Sequence, residues 1–295
     1  MIQFYDKESV EVNMLSKNIK FKGQLKTNTW RKIALNSWDP DFGCSIYSKV
    51  ELNPTPALKF LEKFNQENNQ KITLTHYLGK VLGILLREYP LLNCTIRGKK
   101  VYQRENCDIF FQISRPSQKG EEDLSGKVIR EVDKKDLTSI AQELSAKGKV
   151  IKHQEDTTFK YIKKIVSLTP DCLIKYLINI SAFIQLRLNL WSPLLGTKQD
   201  TFGSMMMTNI GVFDIEEAFV PFVRYSGVHS ICCMGAIYDG IDFDGDKVVK
   251  SKKINLCWTL DHRLIDGSTA GKMLKTLKGL FENPNELLKE FSSVE

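Results

Sequence analysis

The stretch Leu256-Cys257-Trp258-Thr259-Leu260-Asp261-His262-Arg263-Leu264-Ile265-Asp266-Gly267 decides the fold of this 295-residue chain. From Ile254 its first half is apolar and alternating, the pattern of a strand. From Ser268 to about Phe281 apolar residues recur at helical spacing until Asn283-Pro284 stops them. His262 therefore stands where a strand gives way to a loop, and Asp266-Gly267 breaks the chain before the helix begins. Loops at the ends of rigid elements are where reactive side chains are presented. A lone histidine in such a place is more often structural than chemical, so its neighbours in the rest of the chain decide its role.

Working outward, Tyr238 to Lys253 reads as a hairpin leading into that strand, and Ser230 to Ile237 as the strand before it. Gly203 to Phe213 reads as a strand and turn, its three consecutive methionines adaptable core filling. Thr73 to Glu88 places Leu74, Leu78, Val81, Leu82 and Leu85 on one helical face, with His76 an ordinary side chain of a buried helix. Cys44 to Leu52 alternates like a strand, and Thr55 suits the N-cap and Pro56 the first turn of a helix through about Asn65. Residues 1 to 26 read as a polar, strand-poor leader. Between Thr157 and Asp200, Leu173, Ile174, Leu177, Ile178, Ile180 and Ile184 form an apolar face opposite Lys175, Asn179 and Gln185. Packing on this protein or on a neighbouring subunit is the favoured reading of that face, with peripheral membrane contact through 157–195 as the alternative.

Composition narrows the class. An apolar fraction of 42% is ample for a core, and the net charge of +7 comes from lysines spread over the whole chain. That distribution attracts anionic ligands without forming the basic stripe of a nucleic-acid binder. The seven cysteines lack C-x-x-C spacing, and several lie in apolar runs, as expected of reduced thiols in a cytoplasmic protein. No secretory leader or spanning helix is legible, and no cysteine and histidine cluster offers a metal site.

The string D-H-R-L-I-D-G at 261–267 resembles the signature of the acyltransferase component of 2-oxoacid dehydrogenase complexes, and its H-x-x-x-D-G core is shared with chloramphenicol acetyltransferase. Tyr89-Pro90-Leu91-Leu92-Asn93, Lys127 to Ala141, and the G-x-x-x-x-T-N-x-G of Gly203 to Gly211 are similar to further segments of that family. The chain departs from it at Val228-His229, where a Pro-Gln pair is usual, and at Asp123 to Val128, which lacks a usual glycine and proline.

The resemblance implies an α/β fold over 27–295, a two-layer sandwich with a mixed sheet like that of chloramphenicol acetyltransferase. It also implies a homotrimer, or a higher multiple of three, with the active site at each subunit interface. Within that site it implies His262 as general base, Thr208 as hydroxyl donor to the thioester oxygen, and Asp266 orienting the loop through Arg31, with Asn209 in support and Gly267 expected to permit the tight turn. A general base is needed because a neutral thiol or hydroxyl attacks a thioester poorly. Coenzyme A or acyl-CoA is the expected substrate, with no lipoyl group on this chain and no metal. The leading expectation is a stand-alone acyltransferase serving a thiol, hydroxyl or amine acceptor. The alternatives are the acyltransferase core of a dehydrogenase complex whose lipoyl domain is a separate protein, and a non-enzymatic oligomeric or membrane-surface scaffold.

Overall fold

The computed structural model describes residues 16–25, 43–116, 122–152, 176, 179–192 and 199–292. The strands are β1 (Ser16–Lys17), β2 (Phe21–Gln24), β3 (Ser45–Leu52), β4 (Cys94–Arg97), β5 (Lys100–Arg104), β6 (Ile109–Pro116), β7 (Glu122–Ile129), β8 (Leu190–Trp191), β9 (Met205–Asn209), β10 (Ser230–Asp244) and β11 (Lys247–Asp261). The helices are α1 (Thr55–Asn68), α2 (Leu74–Glu88), α3 (Leu137–Lys152), α4 (Gly267–Glu282) and α5 (Pro284–Ser292). The chain divides into two units, Met1–Ile19 with Thr157–Asp200, and Lys20–Asp156 with Thr201–Glu295.

The larger unit is built on a six-stranded sheet in the order β3-β11-β10-β9-β6-β7. Strand β9 runs parallel to both its neighbours and the remaining pairs are antiparallel, so the sheet is mixed. A second sheet in the same unit has the order β2-β5-β4.

Every residue from Ile254 to Asp261 is buried, because both faces of the large sheet are covered. On one face Leu256, Trp258 and Leu260 join Met205, Met207, Cys232 and Met234 in a core shared with α2 and α4. On the other, Met206 and Ile231 pack with Val228, Val220 and Phe222 from the segment before β10. The hydroxyl of Thr259 donates to the Val220 carbonyl at 2.7 Å, which satisfies that buried polar group.

Helix α2 lies at the centre, with all its residues from His76 to Leu86 buried. It packs closely because a Cβ on Gly83 would meet the backbone nitrogen of Asp133 at 2.9 Å. Tyr77 ties it to α4, its hydroxyl lying 3.0 Å from the Leu280 carbonyl and 3.1 Å from that of Phe281. His76 helps to cap the start of α2, where its Nδ1 accepts from the Thr73 N–H at 3.0 Å, one of the backbone donors a helix start leaves unpaired. Burial pushes the His76 pKa down to about 4, so the ring is held neutral.

Two expectations are corrected. The stretch read as a strand-poor leader contains β1 and β2, because partners distant in sequence supply the pairing. Phe21 of β2 lies 5.4 Å from the Tyr102 ring of β5, and Arg97 of β4 sits over both rings. At α1 the N-cap position falls to Pro54 and Thr55 is already helical, its N–H donating to Asn53 Oδ1 at 2.9 Å.

In the smaller unit β1 pairs antiparallel with β8. Asn189, at a left-handed φ of 54°, offers both ends of its amide to the Ile19 backbone, accepting from N–H and donating to C=O at 3.0 Å each. Phe183–Arg187 forms a π-helical turn, and Tyr176, Ile180, Phe183 and Leu188 are exposed. Leu173, Ile174, Lys175, Leu177 and Ile178 lie outside the described residues.

Candidate active site

The end of β11 folds into a turn that holds itself together around Asp261. The Asp261 carbonyl accepts from the Leu264 and Ile265 N–H groups at 2.9 and 3.0 Å. Its side chain accepts the Arg263 N–H at 3.0 Å, and the Arg263 guanidinium grips the same carboxylate with Nε to Oδ1 at 2.9 Å and Nη2 to Oδ2 at 2.6 Å. The carboxylate is almost fully buried. Burial alone would raise its pKa, but the hydrogen bonds from His229 and Arg263 and the neighbouring positive charge outweigh it, holding the carboxyl well below the usual carboxylate range.

His262 is half-buried on this turn. Its backbone N–H donates to the Cys44 carbonyl at 2.8 Å, which anchors the turn to the residue before β3. Its ring Nδ1 lies 2.9 Å from the Ile265 carbonyl. A carbonyl oxygen can only accept, so in the neutral ring Nδ1 carries the proton and the lone pair is on Nε2. The turn thus selects the tautomer in which Nε2 is the basic atom.

Asp266 caps α4, its Oδ1 accepting from the Thr269 N–H at 2.8 Å. Its expected partner Arg31 lies outside the described residues. Gly267 opens α4, where a Cβ would meet nothing within 4 Å and where φ is not positive. The tight turn does not require glycine there, a correction to the expected role: the carbonyl of Asp261 closes the turn instead.

Thr208 and Asn209 are the last two residues of β9. Asn209 closes the strand end, accepting from the Gly211 N–H at 2.9 Å and donating to the Thr75 hydroxyl of α2 at 3.0 Å. Thr208 pairs with Cys233, which pairs with Cys257. His262 is five residues beyond Cys257, so within one chain the backbones of residues 208 and 262 stand roughly 16 Å apart along the strands and roughly 10 Å across two of them. The structure therefore brings His262, Asp266 and Gly267 together, Thr208 and Asn209 together, and the two groups to separate places.

Sequence reading assigned no role to Asp261, Arg263 or His229, the residues that organise the turn. The signal was present: Asp261 and Arg263 interrupt an apolar run, and a charge buried there needs a partner. His229 was visible as a departure from the resembled family at the start of β10.

Comparison with known proteins identifies the architecture. Residues 44–158 and 192–289 match the family described as 2-oxoacid dehydrogenases acyltransferase (catalytic domain). The dihydrolipoyllysine-residue succinyltransferase component of the 2-oxoglutarate dehydrogenase complex from Staphylococcus saprophyticus is 28% identical over 249 residues, 83% of this chain and 48% of that protein. The chain spans about half the length of the curated relatives it matches. Among solved structures, a probable dihydrolipoamide acetyltransferase from Listeria monocytogenes superposes with a TM-score of 0.61 at 18% identity, covering 88% of this chain and 94% of that one. The cubic core of a pyruvate dehydrogenase multienzyme complex gives the same TM-score and identity, covering 83% and 84%. With both the sheet and the 261–267 turn inside the matched residues, the chain belongs to the 2-oxoacid dehydrogenase acyltransferase family, in the part that forms its catalytic domain.

Proposed function

We propose that this chain transfers acyl groups between coenzyme A and a dihydrolipoyl thiol carried on another domain or protein, as the catalytic core of a 2-oxoacid dehydrogenase complex. The observation that carries the reading is the His262 turn, whose Ile265 carbonyl fixes the ring proton on Nδ1 and leaves Nε2 as the base. In the reaction, Nε2 takes the proton of the incoming thiol and the thiolate attacks the thioester carbon. The tetrahedral intermediate then expels the other thiolate, which recovers the proton from the imidazolium. Proton and acyl group are both conserved, and the step runs in either direction.

The negative charge that develops on the thioester oxygen needs a fixed donor, the role given to the Thr208 hydroxyl. The distance between residues 208 and 262 within one chain supports a site shared between two copies, each giving one residue. Assembly as a trimer, or as a multiple of three, suits such a site, since a closed ring repeats the same shared contact at every boundary. The cubic arrangement named for one solved relative contains threefold axes of this kind.

Coenzyme A release from acetyl-CoA and succinyl-CoA with dihydrolipoamide as acceptor tests the chemistry. His262→Ala is expected to lower kcat by about 100-fold to 10,000-fold. A native protein without turnover, or a variant with native turnover, removes the proposal. Co-expression of His262→Ala with Thr208→Ala tests the sharing. Mixed assemblies regain activity at boundaries where two intact residues meet, and assemblies no more active than either variant alone would place both residues in one copy's site.

A further inference from the structure

His229 lies outside the acyl-transfer machinery but reaches into the turn that holds it. It precedes β10, pairs with the end of β11 through the Asp261 N–H, which donates to its carbonyl at 3.0 Å, and is mostly buried. Its ring touches two separate elements. Nδ1 lies 2.8 Å from Asp261 Oδ2, and Nε2 lies 3.2 Å from the backbone nitrogen of Ile96 in β4. The Ile96 N–H can only donate, so Nε2 accepts it and the ring proton is on Nδ1, where it is given to Asp261.

We infer that His229 is a positioning residue for acyl transfer, linking the three-stranded sheet to the Asp261 carboxylate and so fixing the turn that aims His262. The inference rests on the proposed role of His262 as base. Its physical content is a chain of directed hydrogen bonds. Ile96 N–H orients His229, His229 Nδ1 orients Asp261, and Asp261 holds the backbone of residues 263–265 through its side chain and carbonyl. The Ile265 carbonyl at the end of that turn then selects the tautomer of His262.

Arg263 alone could pair the carboxylate's charge, so charge balance does not explain His229. What the ring adds is direction: a second anchor outside the turn, on a strand of another sheet. Without it the Asp261–Arg263 pair could rotate together and carry the Ile265 carbonyl away from Nδ1. A glutamine can reproduce the contact, because its amide N–H can donate to Asp261 while its carbonyl accepts from Ile96. A leucine fills similar space and can do neither.

The test combines turnover with a signal that needs no substrate. The chain has four histidines, so two-dimensional spectra of ¹⁵N-labelled imidazoles in the assembled protein resolve the tautomer of each, with variants giving the assignments. In the native protein the rings of residues 229 and 262 are both expected as the Nδ1–H form. His229→Leu is expected to mix the tautomers of His262 and to lower kcat by about tenfold to 100-fold with KM little changed, the mark of misaimed rather than unbound reactants. His229→Gln is expected to restore both the single tautomer and most of kcat.

A native His229 ring protonated on Nε2 would overturn the inference, as would a folded His229→Leu with native kcat and an unmixed His262 signal. Where His229→Leu does not fold, the glutamine variant decides: loss of the His262 tautomer there also overturns it. Absence of acyl transfer in the native protein would strike the proposed function and with it the catalytic purpose of the link, while the ring signals would still decide whether His229 positions the His262 ring.

Discussion

At one end β11 runs into Asp261, whose carboxylate is buried among His229 and Arg263. At the other it joins β10 in a hairpin where Lys252 and Asp239, both more than half exposed, pair at 2.6 Å. Ile241, Phe243 and Val248 stand largely in solvent near that hairpin's tip. The same strand thus carries the same kind of ion pair in two settings. The exposed pair is screened and its partners can each turn to water, whereas loss of Asp261 takes from the buried Arg263 guanidinium its carboxylate hydrogen bonds. The difference teaches that the turn at 261–265 is held by directed, desolvated contacts, while the Lys252–Asp239 pair on the hairpin stands open to solvent.

Removing the buried partner is the strongest way to break that contrast. Asp261→Ala is expected to lower the unfolding free energy by about 3 to 5 kcal/mol in urea titration. A loss below about 1 kcal/mol would show that the turn is not held by its charges. The acid dependence follows in sign. The Asp261 pKa is lower folded than unfolded, so its contribution is complete above the ordinary carboxylate range and disappears as pH falls through the folded value. The stability difference between native protein and variant should therefore narrow only below about pH 4.

His76 extends the comparison to a buried group paired with backbone instead of charge. Its pKa falls from 6.5 to about 4 on folding, so its contribution is full above pH 6.5 and is lost as pH drops towards 4. Across that window the native protein should lose roughly 3 kcal/mol relative to His76→Gln, which keeps a cap acceptor without titrating. Parallel stability curves for the two proteins would refute this.

Gly267→Ala probes the open side of the turn. A side chain meets nothing there within 4 Å, so stability should rise by about 0.4 to 1 kcal/mol through the unfolded state. If turnover falls although stability does not, a ligand or neighbouring copy approaches that backbone. At the hairpin end, Lys252→Ala is expected to leave the melting temperature unchanged. A measurable drop there would erase the distinction between the two ends of β11.

Much of the larger unit was legible because its signals are local. Helix α2 from Leu74, the strand from Ser45, the long hairpin and the stop at Asn283 each follow from periodicity or from turn and cap residues close in sequence. Strand β2 was not legible, since Phe21-Lys22-Gly23-Gln24 becomes a strand through Tyr102 and Arg97, both far along the chain. Thr55 suits the N-cap by type but lies one position inside the helix, whose N-cap is Pro54, a shift within the usual uncertainty of helix ends.

The sequence by itself determined most of the larger unit's elements from Ser45 onward, the place of His262 at the end of a strand and the family to which the 261–267 string points, because adjacent residues carry those signals. Only the tertiary structure decided which carbonyl sets the His262 tautomer, that His229 reaches Asp261 from 32 positions away, and how far Thr208 stands from His262 within one chain. Those depend on strand register and on which buried polar groups find one another, and burial makes such pairing obligatory without naming the partner.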